Sequence, residues 1–155
     1  MKTTQMKTTQ MKTRLMASLF VCAVALFAAD DPFVGTWKLN VAKSKFQGNQ
    51  PPRSETVTIG ADGKVSISGT DSQGQPVDWS YMAAPGGTAT ITGIPDSTVV
   101  ETRKDNTVDH TWRMGKENLK GHGVLSKDGK TMTYTLQGTN AEGATVKSTE
   151  IYEKQ

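Results

Sequence analysis

The sequence predicts an all-β protein, built as a single antiparallel up-and-down β-barrel of about ten strands with little or no helix after the N-terminal leader. Thr, Val, Ser and Gly dominate the chain beyond that leader, and turn-forming residues recur about every eight to twelve residues. Apolar and polar residues alternate between the turns, as in strands with one buried and one exposed face. Neither heptads nor long amphipathic helical stretches occur in the pattern.

The leader begins with two copies of the pentapeptide Met-Lys-Thr-Thr-Gln, and residues 11–13 repeat its first three residues. Lys12 and Arg14 then precede an apolar run over residues 15–27. A cationic start and a short apolar run are typical of a secretory signal peptide, and the run is short for a membrane span. We therefore predict a signal peptide over residues 1–29, with Met11 as the start of translation; a retained anchor is the alternative.

Removal of the leader changes the charge and the cysteine content. The leader contains four of the 18 basic residues and none of the 15 acidic ones, so the formal charge falls from +3 to −1. The one cysteine, Cys22, also lies in it, and the preceding Val21 is not the small residue of a lipoprotein signal. Residues 30–155 are thus predicted to form one secreted or periplasmic domain without disulfides or a stable membrane span. The charge gives no reason to expect nucleic acid as a partner.

The first predicted strand spans residues 33–40 and contains Gly35-Thr36-Trp37. Because strand side chains alternate, Gly35 and Trp37 lie on one face. We predict that the Trp37 indole plugs one end of the barrel and that Gly35 leaves room beside it. The next connection, residues 41–53, is the longest and contains paired prolines, so it predicts a loop; one helical turn over the barrel mouth is the alternative.

Nine further strands follow at short intervals, which makes neighbouring strands antiparallel. They cover residues 54–60, 64–70, 77–83, 88–92, 98–104, 107–114, 119–126, 131–138 and 145–153. Glycine accepts a positive φ and aspartate tolerates it, so Asp-Gly pairs predict hairpin turns. In chain order the turns are Asp62-Gly63, Asp71-Ser72-Gln73-Gly74, Pro85-Gly86-Gly87, Pro95-Asp96, Asp105-Asn106, Asp128-Gly129 and Asn140-Ala141-Glu142-Gly143.

The alternation also assigns side chains to the barrel interior, where they form either the aromatic wall of a pocket or a filled core. A buried carboxylate such as Glu150 needs a partner, water or a ligand, which favours the pocket. Arg103 could be that partner if it faces inward. The predicted ligand-binding residues are Trp79, Tyr81, His110, Trp112, Tyr134, Glu150 and Tyr152.

Little in the sequence indicates catalysis or metal binding. His110 follows Asp109, but consecutive strand residues face opposite sides and cannot form a dyad directly. His110 and His122 could share a metal only if their hairpin brings them to one face, and no third ligand is obvious. Nucleophile and phosphate-binding motifs are missing. We therefore predict no catalytic residue, no metal ligand and no cofactor.

Two segments carry a family resemblance. Residues 33–39, Phe-Val-Gly-Thr-Trp-Lys-Leu, resemble the opening strand of the calycins, the lipocalins and fatty-acid-binding proteins. Residues 151–154, Ile-Tyr-Glu-Lys, resemble the closing strand of the ten-stranded fatty-acid-binding group, and the start is similar to small secreted bacterial lipocalin-like proteins of unassigned role. The resemblance implies a barrel with an internal cavity. It does not extend to a fatty acid, because Glu150 stands where that group has a carboxylate-binding arginine.

Three hypotheses of function follow. The first is an extracytoplasmic protein that binds a small hydrophobic or amphiphilic molecule, cationic ones included, with Glu150 as the polar anchor. The second is a filled barrel that contacts another protein through its loops or through residues 41–53. The third is a calycin-type enzyme that uses His110. An interior with no void larger than a water molecule would favour the second.

Overall fold

The structure, a computed structural model, describes residues 31–155. The predicted signal peptide, the proposed start at Met11 and Cys22 lie outside these residues. The described strands are β1 (Gly35–Leu39), β2 (Lys45–Gln47), β3 (Ser54–Ile59), β4 (Lys64–Thr70), β5 (Pro76–Met82), β6 (Thr88–Thr90), β7 (Ser97–Lys104), β8 (Thr107–Met114), β9 (Glu117–Leu125), β10 (Thr131–Thr139) and β11 (Thr145–Lys154). One short 3-10 helix spans Val41–Lys43.

The strands form one antiparallel sheet in the order β5-β4-β3-β1-β11-β10-β9-β8-β7-β6. The first strand pairs with the last, since Leu39 lies opposite Tyr152 and Trp37 opposite Lys154. The two ends of the sheet meet at Ser80 and Thr92, whose backbones exchange N–H···O bonds of 3.0 and 2.8 Å. The sheet is therefore a nearly closed barrel, which confirms the predicted fold class.

The connection between β1 and β3 is not the plain loop that the sequence predicted. The 3-10 helix begins after Asn40, whose side chain accepts a hydrogen bond of 3.1 Å from the N–H of Lys43. The additional strand β2 then pairs with residues 147–149 of β11, beyond the part that β1 covers. Because β11 has ten residues and β1 only five, β2 covers an edge of β11 that would otherwise lie open.

One end of the barrel, which we call the base, is closed by side chains from the start of the described chain. Trp37 has no exposed surface, and its indole N–H donates to the carbonyl of Phe33 at 2.8 Å. The Lys154 ammonium lies 5.0 Å from the centre of the Trp37 ring, and the Arg103 guanidinium lies 5.6 Å from that of Phe33. These contacts keep both rings inside the sheet.

Gly35 makes room at the base for a side chain other than the indole. Its φ is +139°, and a Cβ at this position would lie 2.8 Å from Cε of Lys154. The aliphatic stem of Lys154 passes over this space, and its Nζ donates to the carbonyl of Pro32 at 3.1 Å. Because Gly35 has no side chain, the stem of Lys154 can lie across the base and close it.

The opposite end, which we call the mouth, is formed by residues 40–53 and by the β4–β5, β6–β7, β8–β9 and β10–β11 turns. Strand register places these segments together, because each joins strands at the end remote from Trp37.

None of the helices among residues 31–155 has the length and apolar character required to cross a membrane.

Candidate binding cavity

The barrel interior contains a cavity of about 180 Å³. Its wall includes all seven residues predicted to bind a ligand, together with aliphatic side chains from five strands. The seven are Trp79, Tyr81, His110, Trp112, Tyr134, Glu150 and Tyr152. Their role in binding stays a prediction, but the alternation of the strands has placed them on one surface.

Aromatic rings cluster on one side of this cavity around Trp112. The rings of His110 and Trp112 stack with centroids 4.7 Å apart and planes 18° from parallel. Trp79 and Tyr81 approach the indole edge to face, with centroid distances of 5.7 and 5.6 Å. Strands β5 and β8 are not paired in the sheet, so these contacts cross the barrel interior and hold its wall together.

Glu101 lies at the centre of a hydrogen-bond network below these rings. Its side chain is 5% exposed, and one carboxylate oxygen accepts from the Tyr81 hydroxyl at 2.6 Å. The same oxygen lies 3.1 Å from His110 Nε2, and the other accepts from Arg103 Nε at 2.6 Å. Burial opposes ionisation, but the bond from His110, the charge of Arg103 and the bond from Tyr81 lower the pKa of Glu101 to about 2.

The network continues through His110 to Tyr134 and Trp112. The Tyr134 hydroxyl lies 3.1 Å from His110 Nδ1 and accepts from the Trp112 indole N–H at 2.9 Å. These contacts are all satisfied when His110 carries its proton on Nε2, towards Glu101, and Tyr134 donates to Nδ1. Burial, above all, raises the pKa of Tyr134 well above its usual range. Tyr134 is thus a neutral donor held in one orientation.

Arg103 is not the partner of Glu150 that the sequence suggested. It faces inward at the base, where Nη1 donates to Asp31 at 2.5 Å and Nε donates to Glu101. Both carboxylates raise the pKa of Arg103 against the opposing effect of burial. The cation is therefore paired with two carboxylates at the base, away from the wall on which Glu150 lies.

Glu150 instead belongs to a second polar group near the mouth. Its carboxyl group accepts from Ser148 at 2.6 Å and from the Tyr152 hydroxyl at 3.0 Å. The same hydroxyl is hydrogen-bonded to Glu55 of β3. Burial is the main cause that raises the pKa values of Glu55, to about 7, and of Glu150. Two carboxyl groups thus share one tyrosine proton.

An outer pocket of about 380 Å³ lies at the mouth beside the inner cavity. It is lined by the β2 region, the β4–β5 turn and the start of β9. Glu55, Leu119, Leu136 and Glu150 line both spaces. The two carboxyl groups therefore stand at the junction between the interior and the mouth.

No protein-family model and no curated protein sequence matches the chain. Two solved structures align with most of it. Fatty-acid-binding protein 1 of Echinococcus granulosus has a TM-score of 0.51 at 14% identity, covering 79% of this chain and 97% of that one. Wild-type fluorescent protein UnaG has a TM-score of 0.50 at 10% identity, with the same coverage.

The fold is calycin-like. Both similar structures share the barrel with this chain, and their low identities make the likeness one of fold. The predicted resemblance is therefore confirmed at the level of architecture, including the pairing of the first strand with the last.

The two histidines lie on opposite faces of the calycin barrel. His110 is opposite Gly121 in the β8–β9 pair, whereas His122 is opposite Asp109. His122 Nδ1 and Asp109 are 2.7 Å apart, and both side chains are exposed. Residues 31–155 hold no group of three or more His, Cys, Asp or Glu side chains placed to bind one metal ion.

Sequence reasoning missed two interior carboxyl groups, Glu55 and Glu101. The signal for Glu55 was available, because Glu55 has the same parity as Val57 and Ile59, the apolar residues that alternate with Thr56 and Thr58 in that strand. Glu101 shares its parity with Val99, which is 1% exposed, but the face of that strand was left open. Both residues place more negative charge inside the calycin barrel than Glu150 alone.

Proposed function

We propose that this protein is an extracytoplasmic binding protein that holds a small hydrophobic or amphiphilic molecule inside its calycin barrel. The observation that carries the proposal is the interior cavity of about 180 Å³ with aromatic and aliphatic walls. Convergent polar groups in a mostly apolar pocket are typical of small-molecule sites. One of the similar structures is by name a fatty-acid-binding protein.

The size of the cavity favours a compact apolar group. An apolar protein cavity of about 150 Å³ is known to hold benzene, and the cavity of about 180 Å³ is somewhat larger. The outer pocket adds about 380 Å³ at the mouth. A ligand with one ring inside and a polar end towards the mouth fits both spaces.

The hollow interior also separates this proposal from the filled barrel considered above. An interior without a void larger than a water molecule would have favoured that alternative, and one water needs roughly 10–15 Å³ by the same measure. The cavity exceeds this by more than tenfold. Contact with another protein through the mouth segments remains compatible with a hollow barrel, but no described feature favours it.

The extracytoplasmic location rests on the predicted signal peptide over residues 1–29. Expression of the full chain in a bacterium, followed by fractionation and N-terminal sequencing, tests it. We expect an exported product that begins near residue 30. An intact leader on protein that stays in the cytoplasm would contradict the location without affecting the cavity.

Binding is tested with the neutral lipophilic fluorophore N-phenyl-1-naphthylamine, titrated into the purified protein. We expect a saturable rise in emission with one site per chain. Leu136 lines both the inner cavity and the outer pocket. Leu136→Trp should block binding, because the larger side chain fills the junction between them. The matched control is Gln137→Trp, since Gln137 is the next residue and is exposed.

Two results would reject the proposal. One is the absence of saturable emission, combined with native mass spectra that show no retained small molecule. The other is equal binding by wild type and the Leu136→Trp variant, which would place the fluorophore on the outer surface.

A further inference from the structure

Three glutamates line the interior cavity, and only one of them is neutralised by a neighbouring cation. Glu101 contacts Arg103 and His110 at 2.6 and 3.1 Å. Glu55 and Glu150 have no Lys, Arg or His nitrogen within 4.0 Å among residues 31–155. Glu150 is nonetheless nine-tenths buried, with 9% of its surface exposed, and it faces both the cavity and the outer pocket.

The carboxyl groups of Glu55 and Glu150 have fewer hydrogen-bond donors around them than their oxygens can accept. Ser148 donates to one oxygen of Glu150, and Tyr152 contacts both Glu150 and Glu55. A tyrosine hydroxyl has one proton and can donate it to one carboxylate at a time. When both carboxyl groups are ionised, the second contact with Tyr152 therefore lacks a proton. Either one carboxyl group keeps a proton, or an outside donor supplies one.

We infer that the ligand of the proposed cavity is an amphiphile with a protonated amine, held by Glu55 and Glu150 at the junction with the outer pocket. An ammonium group brings both the positive charge and the N–H donors that these carboxylates lack. Its apolar part would extend into the cavity towards Trp79 and Trp112. This inference rests on the proposed function, since it names the ligand class of the same cavity.

Ligands of the opposite charge are disfavoured by the same arrangement. A carboxylate placed at the junction would meet two carboxyl groups, and Arg103 is already bound to Asp31 and Glu101 at the base. Desolvated like charges repel strongly in a site of low dielectric. The interior therefore selects against fatty-acid-like anions through charge, independently of its shape.

Binding of an amine should release a proton. The step is an exchange: a carboxyl group that is protonated in the free protein becomes a carboxylate paired with the ammonium, and its proton goes to the solvent.

Several titratable groups surround Glu55 and Glu150. They include the Tyr152 and Tyr134 hydroxyls on β11 and β10, both neutral, and His110 on β8. Across the cavity lie Tyr81, Glu101 and Arg103, and at the mouth Asp71 and Glu117. Burial raises the pKa of Glu55 to about 7 and also raises that of Glu150, so the exchange falls near neutral pH.

Three probes of equal length test the inference: 4-phenylbutylamine, 4-phenylbutanol and 4-phenylbutyrate, each titrated calorimetrically into the purified protein at pH 8. Their benzene ring suits the cavity volume. We expect the amine to bind about tenfold or more tightly than the alcohol, as for a charge-assisted hydrogen bond, and the acid to bind most weakly. The amine itself stays protonated below pH about 10.

Glu55→Gln and Glu150→Gln should each reduce the preference for the amine over the alcohol to threefold or less. Both changes keep the shape of the side chain and remove its charge, and they replace one acceptor oxygen by an NH2 donor. The matched control is Glu142→Gln, because Glu142 is exposed in the β10–β11 turn. In wild type, amine affinity should rise severalfold from pH 5.5 to 8, and heats measured near pH 6.5 in two buffers should reveal proton release.

The failures are distinguishable. If the alcohol and acid bind as tightly as the amine, the inference is wrong while the cavity still binds small molecules. If none of the probes binds, the proposed function fails together with the inference. Should a glutamine variant not fold, the wild-type comparison of probes and its pH dependence decide alone: an amine preference that is absent, or that is equal at pH 5.5 and 8, overturns the inference.

Discussion

The hydroxyl of Tyr134 occupies the space in which a side chain at Gly121 would begin. A Cβ at Gly121 would overlap that hydroxyl, and one at Gly123 would crowd the same ring from the next inward position of β9. Tyr134 therefore lies flat against β9, with its oxygen directed to Trp112 and His110. Two glycines thus set the orientation of the polar network inside the barrel.

Gly121→Ala should displace Tyr134 and destabilise the protein by about 1–3 kcal/mol, as expected for overpacking of a filled site. The added methyl group would also break the bond between Trp112 and Tyr134. Urea denaturation measures the loss, and tryptophan emission reports the change around the indole. Gly87→Ala is the control, because its Cβ would meet ordinary contacts of 3.4 Å. Equal stability of the two variants would mean that Tyr134 moves without cost.

Trp37 should be among the largest single contributors to stability at the base. Trp37→Ala is expected to cost about 3–5 kcal/mol, since the side chain is fully buried and its removal leaves a cavity. Trp37→Phe keeps an aromatic ring but leaves the carbonyl of Phe33 without its indole donor, at a cost of about 1–3 kcal/mol. Chemical denaturation of both variants checks this order. A loss below about 1 kcal/mol for the alanine variant would contradict the role of Trp37 in closing the base.

The ion pair between Arg103 and Glu101 should be costly to break from one side only. Arg103→Met leaves the carboxylate of Glu101 buried without its cation, which is expected to cost about 3–5 kcal/mol. The double variant Arg103→Met with Glu101→Gln should recover at least half of this loss, because residue 101 then carries no buried charge that lacks a cation. Additive losses in the double variant would show that the two residues act independently.

The ion pair between Arg103 and Glu101 should also make the stability of the protein depend on pH in the acid range. The pKa of Glu101 is lowered from 4.5 to about 2 in the folded protein, so its contribution to stability is complete above pH 4.5. That contribution is lost as the pH falls towards 2. The stability of wild type should therefore decrease across this window, and the decrease should be smaller in Arg103→Met.

Glu55 should have the opposite pH dependence. Burial raises its pKa from 4.5 to about 7, so the folded protein retains a proton that the unfolded chain has released. The free energy of unfolding should therefore fall as the pH rises through this window, by about 3 kcal/mol in total. Denaturation of Glu55→Gln at pH 5 and 8 should show a smaller fall, with Glu142→Gln as the unchanged control. A fall as large in Glu55→Gln as in wild type would assign it to other groups.

Much of the fold was predictable because its signals are local. Asp62-Gly63 predicted a turn, and Gly63 has a φ of +84° in the structure. The inward position of Trp37 followed from its alternation with neighbouring residues. Ten strands were predicted close to their observed bounds, whereas β2 was not, because Lys45–Gln47 has no apolar alternation of its own. That strand forms because a distant segment of β11 offers it an edge.

The candidate site was predictable only in part, for the same reason. Alternation placed Glu150 and Tyr152 on the inner face, but it could not join them to Glu55, which comes from the other end of the chain. It also suggested Arg103 as the partner of Glu150, whereas the register of β7 carries Arg103 down to Asp31 at the base. Which interior charges meet depends on strand pairing across the whole barrel.

By itself, the sequence determined that this chain folds as an antiparallel barrel and which face of most strands points inward. Turn chemistry and side-chain parity act within a few residues, so they can be read without coordinates. Only the tertiary structure decided that the interior is hollow and that Arg103 neutralises Glu101. It also decided that Glu55 and Glu150 share the hydroxyl of Tyr152. Packing volume and charge pairing depend on residues from distant strands that closure of the sheet brings into contact.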